Sequence, residues 1–403
     1  MVMGESSYSK GKRIYVIGAG MSGLATALRL SELNISVTLF ERGGEVGGMA
    51  GSFSWGEFPP LDYGPHIYHT PDERQAHIWE VEYGDLFYKN EFWGKNVKGE
   101  NFNEFYDYPL SYESLQDFPK DIRLKVIKEL KELNQTRKAE ARTYEDYVSE
   151  LVGPTLKEMF FVHYPQKLWG VSMDNMPVNW APKRVNFNRK KGHFHAGQWS
   201  AVGNQGSGAI LKRMAEKFIA NGGELKLNQA LTGIKTKHNK ITSLLFGNEQ
   251  VPVKSEDRVV STMPLPVLAE LLGTRNGLKY RGAKLVFFAV KKQAVIAGKE
   301  SFLYYDDPKI IFHRVSEQKK FCPVGFPENK TVLSAEIAYT KGDVRDRACD
   351  ADLIERTTND LIAVGLIKKD EVTDAQIFSL PYVYPLYTKG MEEELVEVRS
   401  KVN

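Results

Sequence analysis

The chain is poor in cysteine, in charge of one sign and in long apolar runs, and each shortage narrows what it can do. Cys322 and Cys349 are the only cysteines in 403 residues. With no Cys-x-x-Cys spacing, they point away from an oxidising compartment and toward a reducing cytosol, hence a cytoplasmic location. The N-terminus lacks a signal-peptide pattern, because a polar Met-Val-Met-Gly-Glu-Ser-Ser leads into Lys10-Gly11-Lys12-Arg13. Net charge is only +3, from 54 basic and 51 acidic residues. Neither sign forms a long block, so nucleic acid is not an implied partner. Apolar runs such as Leu285-Val286-Phe287-Phe288-Ala289-Val290 are far too short to cross a bilayer and read as core strands, so no integral membrane segment is expected. No Ser-His-Asp, Cys-His or metal cluster stands out.

What is present is globular. Hydrophobic residues make up 42% and charged residues 26%, and the length suggests two or three domains. Residues 13–17, Arg-Ile-Tyr-Val-Ile, end in Gly18-Ala19-Gly20-Met21-Ser22-Gly23, after which Leu24, Ala27, Leu28 and Leu30 recur at helical spacing. A second strand, Val37-Thr38-Leu39-Phe40, stops at Glu41. This is a β-α-β unit of about 30 residues. In it the first glycine permits the tight turn, the second lets the backbone approach a pyrophosphate, and the third lets helix and strand pack closely. Such glycines also occur for packing alone. The strand before them, the helix after them and Glu41, placed to accept bonds from ribose hydroxyls, together select dinucleotide binding.

Farther along, 121–147 reads as amphipathic surface helix, and a glycine-rich turn at 201–208 opens a helix over 209–221. Short strands follow near 224–227 and 241–246, and Asp257 to Thr262 returns the chain to the nucleotide-type fold. Residues 283–290 and 331–339 look like strands of a mostly antiparallel sheet. His66 and His69 stand in Tyr63-Gly64-Pro65-His66-Ile67-Tyr68-His69-Thr70. A zinc pair on a helix would take i, i+4 spacing and further ligands, and Gly64-Pro65 argues against helix, so no metal is expected.

Several segments carry a family resemblance. Glu41 through Ser52, with Gly43-Gly44 and Gly47-Gly48, resembles the extended fingerprint of FAD-binding proteins of the glutathione-reductase-like superfamily. Asp257 through Pro264 is similar to the strand with which flavin amine oxidases complete their FAD domain. Tyr63 to Thr70 resembles the flavin-proximal segment of UDP-galactopyranose mutases, and Tyr108-Pro109-Leu110 their following turn. Leu151 through Gly170, with Lys167-Leu168-Trp169-Gly170, is similar to a segment shared by these mutases and protoporphyrinogen-oxidase-like proteins. Lys183-Arg184-Val185, Tyr280-Arg281 and Tyr382-Val383-Tyr384-Pro385 match the mutases' substrate-contacting segments more loosely.

The resemblance implies an α/β fold in which a glutathione-reductase-like Rossmann FAD-binding domain (11–95, 196–272 and 385–403) is interleaved with a smaller α+β substrate domain (96–195 and 273–384). FAD is the implied cofactor, contacted by Gly18, Gly20, Ser22, Gly23, Glu41, Arg42, Gly47, Gly48, Met49, Tyr63, Gly64, His66 and Thr262. His66, Arg281 and Tyr384 are the implied catalytic residues, and Trp169, Arg184, Arg281 and Tyr384 the implied substrate contacts. For several of these the residues alone leave a second reading open. Arg281 is either a diphosphate clamp or an ordinary ion-paired arginine, Trp169 a uracil platform or a core indole, and Tyr384 a phosphate donor or a packing ring. Arg189, beside Lys190-Lys191, is a weaker candidate. His69 is expected to make a backbone bond that shapes the turn.

In the mutases, reduced flavin attacks the anomeric carbon through N5 and the sugar recloses as a furanose, so the partner implied here is a small molecule, a nucleotide sugar. The alternatives are an oxidoreductase whose FAD takes a hydride from a small organic substrate, and a nucleotide-binding protein without turnover. Homo-oligomerisation is left open. The pattern departs from the family twice. The glycine-arginine turn that normally follows Tyr384-Pro385 is not found, which implies a shortened chain or a flavin site open on one side. In addition, Phe312 stands where mutases carry a tyrosine hydroxyl.

Overall fold

The computed structural model describes residues 12–135, 141–178, 187 and 191–402. Arg184 and Arg189 lie outside these. The first layer system is a four-stranded parallel sheet in the order Glu224–Lys226, Ser36–Phe40, Arg13–Ile17, Arg258–Ser261. Alternation along the strands assigns its two faces. Val16, Val37 and Leu39 meet Leu24, Ala27 and Leu28 of helix Met21–Glu32 and Leu211, Met214 and Phe218 of helix Gly206–Ala220. Tyr15, Ile17 and Phe40 point the other way, onto a three-stranded antiparallel meander, where Phe40 stacks on Phe246 at 4.3 Å.

The second system is a seven-stranded sheet in the order Val372–Pro385, Tyr280–Val290, Thr331–Thr340, Arg314–Glu317, Glu300–Tyr305, Trp93–Lys98, Glu104–Tyr108. All neighbours are antiparallel except Glu300–Tyr305 with Trp93–Lys98. Strand Tyr280–Val290 is buried along nearly its whole length. Its unbroken apolar run follows from having both faces covered. On one face Val286, Phe288, Leu303, Val315, Leu333 and Ile337 pack with Leu361 of helix Asp350–Ala363. On the other, Ala283, Leu285 and Phe287 meet Trp55, Leu61, Phe53 and Tyr63, residues from the segment that follows the first β-α-β unit. This contact brings the Tyr63 to Thr70 stretch over the large sheet.

A helical layer completes the fold. The stretch expected as one helix over 121–147 is two elements, Lys120–Gln135 and a helix that begins at Tyr144. A reciprocal cap between Thr143 and Asp146 starts the second element independently. That helix, Tyr144–Phe160, breaks at Gly153, whose φ of 80° is open to glycine, and Thr155 then binds both oxygens of Glu129 at 3.0 and 2.6 Å. Helix His163–Trp169 follows and ends at left-handed Gly170. No helix among the described residues is long and apolar enough to cross a membrane.

Candidate functional site

Two glycine turns meet at the end of the parallel sheet. Gly18 has φ 97°, and a Cβ there would lie 2.6 Å from Thr262 Oγ1, which itself donates to the Ile17 carbonyl at 2.9 Å. A Cβ on Gly23 would lie 1.7 Å from the Gly18 carbonyl oxygen, so strand and helix touch backbone to backbone. Gly20 is different, because its nearest neighbour would be the Gly47 carbonyl at 3.8 Å. The Gly47 N–H donates to Ala19 O at 2.8 Å, and Gly48 lies against Gly20. The space over Gly20 is therefore bounded by both turns. Helix Met21–Glu32 opens onto it with no side-chain cap at Gly20 and no acidic residue in its first turn. Uncapped N–H groups and the positive helix end make this an anion cradle.

Glu41 closes one side. Its oxygens accept from the Ala19 and Gly43 N–H groups, each at 2.8 Å, and each keeps a lone pair for a hydroxyl. Ser22, Arg42 and Met49 sit on the exposed rim. The second glycine-rich helix start, at Gly206, is filled from within the protein. Asp62 accepts from Ser207 N at 2.8 Å and from Ser207 Oγ at 2.7 Å. One helix end is thus open to an anion and the other already holds one.

Asp62 also anchors the stretch that bears the two histidines. Tyr63 stacks on Phe53 at 5.3 Å and Gly64, at φ 95°, lies against Leu285. His66 is partly buried, whereas His69 is exposed. His69 makes a side-chain bond to Gln198 at 3.0 Å and stacks on His195 at 3.5 Å, because Tyr68–Thr70 is a strand paired with Trp199–Ala201 and its side chain points outward. Among the described residues no three His, Cys, Asp or Glu side chains are grouped to hold a metal ion.

Beneath this stretch the large sheet presents a polar and aromatic row. Tyr304, Arg314, Glu336 and Leu285 are in register across four strands. Glu336 takes Arg314 through Nε at 2.6 Å and Nη2 at 2.8 Å. Burial opposes the Arg314 charge, but Glu336 outweighs it and holds the pKa well above the ordinary arginine value. Tyr108 stacks on Tyr304 at 3.9 Å, and Tyr164 meets Tyr304 edge-on. Burial raises both the Tyr164 and Tyr304 hydroxyls well above 10, so they remain neutral hydrogen-bonding groups. His313 is buried, and burial together with Arg314 and Lys167 keeps its pKa well below the usual value.

Arg281 is buried farther along the strand that carries Leu285, in register with Thr340, and is heavily committed. It donates to Leu168 O at 3.0 Å, Lys167 O at 3.2 Å and Thr340 Oγ1 at 2.5 Å. It therefore caps helix His163–Trp169, and its guanidinium lies where a Gly170 side chain would be. Burial and the neighbouring Arg345 pull its pKa down to about 10. Lys167 ties the same helix to a loop, donating to Tyr305 O at 3.1 Å and Asp307 O at 2.9 Å, with its pKa lowered to about 7 by burial and Arg345. Trp169 is buried, with its ring at the edge of Tyr384 at 5.3 Å, and Tyr384 is in register with Arg281.

The fold thus gathers Gly18, Gly20, Gly23, Glu41, Gly47, Gly48 and Thr262 at one end of the parallel sheet. It brings Trp169, at the end of helix His163–Trp169, to Arg281 and Tyr384 of the large sheet, and holds Tyr63, Gly64 and His66 between. Arg314 with Glu336, Tyr108 with Tyr304, Tyr164, Lys167 and Asp62 were not singled out as site residues from the sequence. The readable signal was the in-phase alternation of Phe302 and Tyr304 with Arg314 and Ser316. Phe312, read as a missing hydroxyl, is a fully buried core ring against Tyr305.

A family profile described as an NAD(P)-binding Rossmann-like domain matches residues 16–81, and one described as UDP-galactopyranose mutase matches residues 159–348, which include Trp169, Arg281, Arg314 and Glu336. The chain resembles UDP-galactopyranose mutases. A probable UDP-galactopyranose mutase of Klebsiella pneumoniae is 27% identical over 199 residues, 46% of this chain and 48% of that protein. The mutase-like chain thus spans about half the length of that curated relative. The mitochondrial protoporphyrinogen oxidase of Nicotiana tabacum is 49% identical over 51 residues, 13% of this chain and 10% of that one. The crystal structure of a reduced UDP-galactopyranose mutase superposes with a TM-score of 0.81 over 97% of this chain and 88% of that chain, at 18% identity. At that identity the likeness establishes the mutase-like fold, a Rossmann-type domain interleaved with a second sheet.

Proposed function

We propose that the chain is a flavoenzyme that holds FAD and acts on a nucleotide-linked sugar. The observation that carries this reading is Arg314, a half-buried arginine inside the mutase-matching segment. Its Nε and Nη2 are fixed by Glu336, which leaves Nη1 for a phosphate oxygen. FAD fits the residues present. The uncapped helix start over Gly20 suits a pyrophosphate, Glu41 keeps acceptors for ribose hydroxyls, and Tyr63, Gly64 and His66 would border the ring. Bound reduced flavin supplies an electron-rich ring nitrogen able to attack an anomeric carbon.

The protein's own residues then bind and orient. Arg314 takes the diphosphate, the neutral hydroxyls of Tyr164 and Tyr304 donate or accept near it, and Trp169 with Tyr384 forms an aromatic wall that Arg281 holds in place. The division into segments 11–95, 196–272 and 385–403 for the cofactor, and 96–195 and 273–384 for the substrate, belongs to the same proposal, as does a cytoplasmic location. A second reading is favoured by the rings of Phe302, Tyr304 and Phe321 packed with Cys322 beside the row, together with the Nicotiana match. On that reading FAD takes a hydride from an apolar substrate.

An absorbance spectrum before and after dithionite, with UDP-sugars added, separates the two. A mutase turns over only once reduced and leaves the flavin reduced. An oxidoreductase bleaches its flavin once per substrate, and a protein that stays colourless after reconstitution with FAD refutes both.

A further inference from the structure

We propose that Asp62 is a positioning residue that fixes the tautomer and aim of His66. Three donors immobilise the Asp62 carboxylate: Ser207 N at 2.8 Å and Ser52 Oγ at 2.6 Å on Oδ1, and Ser207 Oγ at 2.7 Å on Oδ2. Ser52 Oγ in turn accepts from Gly208 N at 2.8 Å, so its proton is directed to Asp62. Gly206, at φ 73°, makes room for this arrangement, since a Cβ there would lie 2.3 Å from Ser52 Oγ and 2.9 Å from Asp62 Oδ1. The carboxylate sits at the positive end of a 15-residue helix and has little freedom to move.

Asp62 Oδ2 lies 3.5 Å from His66 Nδ1. That separation is long for a hydrogen bond, and buried Nδ1 has no hydrogen-bond partner among the described residues. A small ring rotation toward Oδ2 satisfies it. The carboxylate accepts and cannot donate, so the bond requires the proton on Nδ1 and, in the neutral ring, leaves Nε2 a bare acceptor. The opposite tautomer would set a lone pair against a fixed negative charge and leave the buried nitrogen unmatched. His66 lines a cavity of about 40 Å³ with Pro65, Gln318, Phe321 and Cys322, enough for one water or a small polar group. The pairing stands on geometry alone. That His66 also addresses a bound flavin rests on the proposed function.

The test is ¹⁵N NMR of the histidine-labelled full chain, without added ligand, with His66 assigned by the signals lost in His66→Gln. The wild type is expected to show the Nδ1–H pattern. Asp62→Asn keeps an oxygen for Ser207 N and Ser52 but turns an amide NH₂ toward His66 Nδ1, so the tautomer should invert to Nε2–H. A purely structural Asp62 would leave it unchanged. Nε2–H in the wild type overturns the proposal without any variant, as does one tautomer shared by both folded proteins. Loss of flavin-dependent turnover in Asp62→Asn at equal flavin content would extend the pairing to the cofactor. If no flavin binds while the tautomer still inverts, only the functional reading falls.

Discussion

Alanine at Gly20 and at Gly23 should have opposite consequences, although the two glycines sit three residues apart in one turn. At Gly23 the new methyl would land 1.7 Å from a backbone oxygen. Relief requires helix Met21–Glu32 to retreat by roughly 1.5 Å from the strand it packs on, and such overpacking costs about 3 kcal/mol, more where backbone faces backbone. The melting temperature of the ligand-free protein should fall by about 5 °C or more. At Gly20 the backbone is extended, with φ −72° and ψ −178°, and the methyl meets nothing closer than 3.8 Å. Ligand-free stability should hold or rise by up to about 1 kcal/mol, as for any glycine replaced at a permitted geometry. The methyl would occupy the cradle, however, and losing even one charge-assisted hydrogen bond, about 1.5–3 kcal/mol, weakens FAD at least about tenfold. Thermal melts of the ligand-free variants, followed by titration with FAD monitored by flavin fluorescence, decide the matter. Wild-type FAD affinity in Gly20→Ala, or a melt as low as that of Gly23→Ala, would refute the assignment of the space above Gly20.

Arg314→Lys removes the fork that Glu336 engages, and calorimetry with UDP should show binding weakened by roughly tenfold or more at unchanged flavin content. Arg281→Gln leaves the Lys167 and Leu168 carbonyls unmatched and should lower stability by about 2–4 kcal/mol with a change in tryptophan emission. A variant that melts like the wild type but no longer binds UDP would make Arg281 a clamp after all. Lys167 has a folded pKa of about 7 against an ordinary 10.5. Between those values the unfolded chain binds more protons, so this group makes stability rise with pH from 7 toward 10.5. Lys167→Met should flatten that rise in melts taken from pH 6.5 to 9.5, and an unchanged slope would exclude the buried amine as its source.

The glycine turn of the parallel sheet was legible because its pattern is local. Gly18, Gly20, Gly23 and Glu41 fall within one β-α-β unit, where spacing and geometry imply one another. The long buried strands also announced themselves through unbroken apolar runs. The row on the large sheet was harder to read. Arg314 and Glu336 meet only because Arg314–Glu317 pairs with Thr331–Thr340, and register between strands leaves little trace in either one alone. The surroundings of Arg281 were hidden for the same reason. A strand-end arginine near an aromatic-proline segment suggests a ligand, but the fold brings a helix C-terminus to it first. Asp62 gave no signal because its partner, Ser207, is 145 positions away.

The row of Tyr304, Arg314 and Glu336, the rings of Tyr108 and Tyr164 packed on it and Tyr384 nearby come from segments spread between positions 108 and 384. Strand Trp93–Lys98 must wait for Glu300–Tyr305 before it has a neighbour on that side, and Tyr384 arrives on the strand paired with Arg281. Such pairings close large loops and form late. During synthesis the dinucleotide turn can therefore take shape while the surface facing it does not yet exist. On the proposed function, a cofactor captured early would meet an unfinished wall, and the last strand to dock would be the step that creates a place for substrate.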